Sequence, residues 1–230
     1  MNNDAFVSIN ATIIIPKRGI LIKDINFSLH SKERLALLGP NGSGKTTIIK
    51  ALLGEHQYAS GELALNISKS QIGYMPQNFR EALFPWLPVK NNIELYKSNR
   101  GDFSTERFYS TLNKLMLTGI LSSTVKTLSG GEQQLLLLCL TLSCGNKLLL
   151  LDEPFSAVDL SRRGVARKLL SNSLRETGST LILVTHDLDD AVRLSSRAVV
   201  LSGSAKLGAK YLAMESPDTY MKKLHEEIYS

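Results

Sequence analysis

Gly39-Pro40-Asn41-Gly42-Ser43-Gly44-Lys45-Thr46 combines three glycines, a lysine and two hydroxyls at a spacing suited to holding the phosphates of a nucleotide. Successive backbone N–H groups through such a stretch, with the first turn of the helix that follows, form a concave anion site. Gly42 and Gly44 allow close approach and backbone angles that other residues avoid. Lys45 is placed to reach the β- and γ-phosphates. Thr46, with Thr47 beside it, offers a hydroxyl to Mg²⁺. A glycine-rich turn would have the same composition. Here, however, an apolar run at 35–38 leads in and a helix-forming run at 46–53 leads out to Gly54, which is the context this chemistry requires.

A second constellation is Leu148-Leu149-Leu150-Leu151-Asp152-Glu153. An apolar strand that ends in two carboxylates places them at the carboxyl edge of a sheet, where open α/β sheets bind ligands. Asp152 suits Mg²⁺ through its water shell, and Glu153 suits polarising an attacking water. Alone, an Asp-Glu pair before Pro154 is more often a turn; the phosphate loop upstream reverses that preference. His186 follows the apolar run 181–184 and Thr185. A solitary histidine is usually structural or solvated, but at the end of a strand parallel to that of Glu153 it becomes a candidate γ-phosphate sensor rather than a metal ligand. Gln77 follows Tyr74-Met75-Pro76 at the end of another short strand and reads equally as a surface glutamine.

These residues need a scaffold, and the pattern of apolar residues supplies one. Strands are expected at 6–15, through Ile25, Phe27 and Leu29, at 35–38, through Leu63, Leu65 and Ile67, and at 72–75, 148–151, 181–185 and 198–201. Helices are expected at 103–117, 163–176 and 188–194, with Pro85, Trp86 and Pro88 interrupting the region before them. The order predicts an α/β fold, a mostly parallel sheet interrupted by a helical insertion. The 230 residues, 43% apolar and 21% charged, can bury a sizeable core. The apolar runs 135–142 and 148–151 are far shorter than the ~20 residues of a membrane span, and read as a buried helix and a buried strand. Met1-Asn2-Asn3-Asp4 carries no basic segment leading into an apolar one, so no secretory signal is expected. Cys139 and Cys144 lack metal-ligand spacing and read as core thiols. The net charge of +6 is spread over scattered pairs, Lys17-Arg18, Arg162-Arg163 and Lys222-Lys223, with no dense block; it fits a surface near anionic lipid heads or plain solvated faces, and no nucleic acid is expected.

Leu128-Ser129-Gly130-Gly131-Glu132, taken with the loop at 39–46, Gln77, the acidic strand to Glu153, Ser156-Ala157-Val158-Asp159 and His186, resembles the nucleotide-binding subunit of an ATP-binding cassette transporter. The likeness covers roughly residues 6–202 in family order. It implies a cassette ATPase fold: a RecA-like phosphate-loop core with an N-terminal antiparallel β subdomain at 1–76 and 146–230, and a helical signature subdomain at 77–145. It also implies a head-to-tail homodimer with ATP and Mg²⁺ sandwiched between one copy's phosphate loop and the other's signature. In that arrangement Ser129, Gly130 and Gly131, followed by Glu132, meet the γ-phosphate, with the helix dipole favouring the anion. Glu153 is the implied general base, His186 positions phosphate and water, Gln77 joins Thr46 and Asp152 at the metal, and Asp159 links the two sites.

Leu83-Phe84-Pro85-Trp86-Leu87-Pro88-Val89-Lys90-Asn91-Asn92-Ile93, Asp152-Glu153-Pro154-Phe155-Ser156-Ala157-Val158-Asp159 and Ser196-Arg197-Ala198-Val199-Val200-Leu201-Ser202 are similar to segments of the nitrate, sulfonate and taurine importer branch. The implied assembly has a transmembrane permease, an extracytoplasmic solute-binding protein and a place on the cytoplasmic face of the membrane. Trp86 then reads as a docking anchor, or equally as local packing of a proline-rich loop. Export, lipid movement and soluble cofactor assembly use the same catalytic residues and stand as alternatives. A DNA-repair or translation cassette would carry a coiled-coil insertion or a second cassette. The chain departs from the family pattern in three places. No aromatic stands at 13–19 to stack on adenine, leaving Ile15, Pro16 or Phe6 for that contact. Leu135 and Leu140 replace common arginines, giving a helix that must be buried or covered. The segment 212–228 has room for one or two helices and no regulatory domain.

Overall fold

The structure is a computed structural model that describes residues 5–15, 20–55, 58–201, 209–213, 222 and 226. The chain begins with β1 (Ala5–Ile15), β2 (Ile20–His30), β3 (Arg34–Leu38), α1 (Lys45–Leu52), β4 (Tyr58–Leu65) and β5 (Ile72–Met75). The helices α2 (Val89–Asn99), α3 (Thr105–Lys114) and α4 (Gly130–Leu142) follow. It continues through β6 (Leu148–Asp152), α5 (Leu160–Thr177), β7 (Thr180–Val184), α6 (Leu188–Leu194), β8 (Arg197–Leu201) and β9 (Ala209–Ala213). These elements form two compact units, Met1–Ser68 with Thr180–Ser230, and Lys69–Ser179.

In the first unit a three-stranded antiparallel sheet runs in the order β2-β1-β4. Val7, Ile9, Ala11 and Ile13 of β1 and Ile25, Phe27 and Leu29 of β2 are all buried, so the period-two alternation marks the inward face. A second set of strands has β3 parallel to β7 and to β8, with β9 antiparallel to β8. Leu35–Leu38 and Leu181–Val184 are buried at every position, as expected of parallel strands covered on both faces. Leu188, Val192 and Ala191 of α6 pack against Ala36, Leu38, Ala198 and Val200. The register pairs Leu37 with Val184. The loop after β3 and the His186 turn after β7 therefore leave the same carboxyl edge.

In the second unit β5 and β6 are parallel, Ile72 opposite Leu148 through Met75 opposite Leu151. Their common edge carries Gln77 and the Asp152-Glu153 pair. Residues Gln133 to Leu142 of α4 are all buried, with Leu135 to Leu138 and Leu140 at 0% exposure. Of the two alternatives expected for this helix, burial or cover by a partner, the structure has burial. Helix α5 begins three residues before the expected 163, because the Asp159 carboxylate accepts the Arg162 N–H as its N-cap; it ends at Gly178 in the left-handed conformation. Helix α3 is shorter than the expected 103–117, starting after Ser104, whose hydroxyl accepts the Arg107 N–H. At the chain's end, 212 and 213 belong to β9 rather than to a helix, because they pair with Ala198 and Arg197 of β8. Most of the predicted terminal helix lies outside the described residues, as do the pair Lys17-Arg18 and Ser202.

Candidate functional site

The phosphate loop gets its shape from glycines at positive φ: Gly39 at 144°, Gly42 at 84° and Gly44 at 98°. A Cβ at Gly39 would lie 2.5 Å from the Leu201 carbonyl oxygen and 2.8 Å from Ser43 Oγ, so both conformation and space demand glycine. Gly44 sits at the N-cap of α1, which therefore opens without a side-chain cap. Its first-turn N–H groups belong to the anion cradle. Lys45 is only 6% exposed, and its ammonium donates to the carbonyls of Gly39 at 2.6 Å and Pro40 at 3.0 Å. Ser43 Oγ is buried with no hydrogen-bond partner among the described residues. Buried hydroxyls are normally satisfied, and an oxyanion in the loop would satisfy this one. Pro40 and Asn41 are exposed at the tip, and Thr46 and Thr47 half-buried behind it.

His186 is exposed at the end of β7. Its turn is held from below: the Thr185 N–H donates to the Leu37 carbonyl at 3.3 Å, and the Asp187 N–H to Thr185 Oγ1 at 3.0 Å. The Asp187 carboxylate accepts from the N–H groups of Asp189 and Asp190, capping α6. The strand that bears the phosphate loop thereby also fixes the turn that bears His186.

In the second unit Gln77 is exposed just past the buried Pro76, while Asp152 is 0% and Glu153 6% exposed. Glu153 has φ of 52°, in the left-handed region that β-strand residues do not enter. Such a backbone costs about 1–3 kcal/mol and persists where its surroundings hold it. The sequence marks the acidic pair but not this conformation, because one residue's φ leaves no periodic trace.

The signature stretch forms the start of α4. Ser129 is the N-cap: its hydroxyl accepts the Glu132 N–H at 3.3 Å, and the Glu132 carboxylate accepts the Ser129 N–H at 2.9 Å. This capping box orders Ser129, Gly130 and Gly131 at the positive end of the helix dipole. A Cβ at Gly131 would come within 2.8 Å of the Ala157 carbonyl oxygen, so the second signature glycine is required by close packing on the turn after Glu153. Two buried glutamines that carried no signal among the leucines tie this start down. Gln133 Nε2 donates to the Leu128 carbonyl at 2.9 Å, and Gln134 reaches the turn after Glu153. Asp159 is exposed; its carboxyl is held below the ordinary carboxylate range first by the Ser161 hydroxyl and then by the Arg162 backbone N–H.

Trp86 is 69% exposed, with Phe84 set edge-on to it at 5.7 Å. The buried Asn92 fixes the loop beneath, accepting the Phe84 N–H at 2.8 Å and donating to the carbonyls of Phe84 and Pro88. Asn92 holds the backbone, and the tryptophan ring is left bare. Both cysteines are buried: the thiol pKa of Cys144 is pushed up to about 11, chiefly by burial, and that of Cys139 higher still. Phe6 is half-buried in β1; Pro16 and the side chain of Ile15 lie outside the described residues.

Comparison with known proteins bears on the family and the fold. The ABC transporter family model matches residues 22–156. An aliphatic sulfonates import ATP-binding protein of Bacillus cereus is 32% identical over 215 residues, covering 91% of this chain and 84% of the relative. A taurine import ATP-binding protein of Shigella dysenteriae is 35% identical over 189 residues, covering 79% and 73%. A solved dimeric ATP-binding cassette, in a post-hydrolysis state with ADP and phosphate bound, superposes with a TM-score of 0.75 at 25% identity, covering 91% of this chain and 99% of that one. Among the described residues no helix is long and apolar enough to cross a membrane. The chain belongs to the ABC transporter family, as an ATP-binding ATPase.

Proposed function

We propose that this chain powers the import of a small anionic or organic solute, of the sulfonate or taurine kind, through a separate membrane permease. The phosphate loop carries this reading: three positive-φ glycines, a buried lysine resting on loop carbonyls and a buried serine hydroxyl with no partner among the described residues make a cradle suited to phosphate oxygens. The relatives named for sulfonate and taurine import supply the direction and the substrate class. The exposed Trp86 is the anchor assigned to the permease. Residues 77–145 are the signature subdomain, and the partner in the ATP sandwich is a second copy.

When ATP enters, its β- and γ-phosphates draw the Lys45 ammonium away from the Gly39 and Pro40 carbonyls, while Ser43 Oγ and the loop N–H groups bind phosphate oxygens. Thr46, Gln77 and, through water, Asp152 would hold Mg²⁺, which would supply charge neutralisation for the phosphates. Glu153 accepts a proton from the attacking water, and His186 donates a hydrogen bond to the γ-phosphate. Ser129, Gly130 and Gly131 of the second copy, with Glu132 holding the cap, close on the same phosphate, and Asp159 joins the two sites. ATP closes the dimer; hydrolysis opens it and resets the permease.

Affinity purification from gently solubilised membranes, with every stoichiometric partner identified by mass spectrometry, tests the assignment. Recovery of a multi-span permease with an extracytoplasmic solute-binding protein is the expected result. A permease without a receptor would point to export, and soluble partners alone to cofactor assembly; either would sink the importer reading.

A further inference from the structure

Gln134 is fully buried immediately before the apolar run 135–142, and no step above uses its amide. Both ends of that amide are engaged. Nε2 donates to the Glu153 carbonyl at 2.8 Å and to Ser156 Oγ at 3.3 Å, and Oε1 accepts the Ala157 N–H at 2.8 Å. The three partners span the turn that begins at Glu153. Within that turn the Ser156 N–H reaches the Glu153 carbonyl only at 3.3 Å, a long bond for a residue held at φ of 52°. Gly131, three residues before Gln134, lies on the same face of α4 and lets the Ala157 carbonyl come where a Cβ would be 2.8 Å away. The Ala157 peptide is therefore gripped through its N–H by Gln134 and packed at its carbonyl against Gly131.

We propose that Gln134 is a positioning residue for ATP hydrolysis, clamping the 153–157 turn to the signature helix so that Glu153 keeps its left-handed backbone and the aim of its carboxylate. This rests on the assignment of Glu153 as general base. A general base must stand within hydrogen-bond reach of its water, and the direction of a side chain follows from φ at its own residue. Buried glutamines can also serve folding alone, in which case turnover per folded molecule would not change.

Gln134→Met keeps the length and apolar fit of the side chain and removes both amide functions. The expected result is a fall in kcat of about 10–100-fold with KM for ATP changed by less than about twofold, since misplacement of a catalytic group acts on the chemical step. Hydrogen exchange should show protection lost at the Ala157 amide and retained along α4. In a Glu153→Gln background the same replacement should lower residual turnover by less than about twofold, because its effect passes through Glu153. A Gln134→Met protein whose Ala157 amide is deprotected but whose kcat is unchanged would overturn the clamp, as would full additivity with Glu153→Gln. If Gln134→Met loses cooperative unfolding, Gln134→Asn, an amide on a shorter arm, is read by the same measurements and criteria. Unchanged turnover in Glu153→Gln alone would overturn the base assignment itself; unchanged turnover in Gln134→Met beside an inactive Glu153→Gln would overturn only the clamp.

Discussion

Glu153→Gln keeps the shape of the side chain and removes the carboxylate that accepts the proton. Steady-state ATP turnover should fall by about 10²–10⁴-fold, the usual contribution of a positioned base, while nucleotide binding survives. Gly39 lies in the same nucleotide machinery but acts through backbone. Gly39→Ala would force a Cβ against the Leu201 carbonyl at a φ of 144°, so the loop must deform and ATP affinity should be lost in a direct binding titration. Asp159 adds a dependence on pH. Its folded-state carboxyl is held below its usual range, so its stabilising effect is present above the unfolded pKa and disappears as pH falls through the lower folded value. Asn at 159 preserves the cap without titrating. The urea midpoint of the wild type should therefore fall relative to Asp159→Asn as the solution is taken from about pH 6 to about pH 3; a constant difference would refute the assignment.

At the scale of elements, α4 joins function to stability. Its N-terminal turn presents the signature, and its remaining length is core. Leu137→Ala, at 0% exposure in a helix with no solvent face over its last ten residues, should cost about 2–5 kcal/mol by chemical denaturation. Leu135 and Leu140, where the resemblance led us to expect arginine, are explained by the same burial. The helix was legible as a leucine run, and its need for burial followed from that. The work of Gln133 and Gln134 was not legible, since a glutamine's partners here lie as much as 23 residues away along the chain. Helix α5 shows the opposite case: a cap at Asp159 set its start three residues earlier than apolar periodicity indicated, because capping is a local hydrogen bond rather than a pattern.

At the scale of the whole molecule, the proposed function makes ATP the closing agent of a two-copy sandwich. With hydrolysis blocked, Glu153→Gln should elute as a dimer in size-exclusion chromatography when ATP is present and as a monomer without it. Persistent monomer at saturating ATP would argue against the head-to-tail assembly. Trp86→Ala removes an exposed aromatic ring from a loop that Asn92 keeps fixed, so co-purification with the permease should weaken without loss of cooperative unfolding.

Sequence alone determined the phosphate loop, the acidic strand end, the succession of strands along the chain as far as 201 and the burial of both cysteines. Each is written in short spacing: glycines where only glycine fits, apolar residues at period two, or continuous apolar runs. Its likeness to cassette ATPases was legible for the same reason, as motifs in a fixed order. Tertiary structure alone decided that Lys45 rests on its own loop carbonyls, that Ser43 Oγ is buried without a partner among the described residues, and that Glu153 is left-handed. It also decided that residues 212 and 213 extend a sheet rather than a helix, by pairing with β8. These features depend on atoms brought together across chain separations that no local pattern encodes, and on backbone angles that only the surrounding packing can hold.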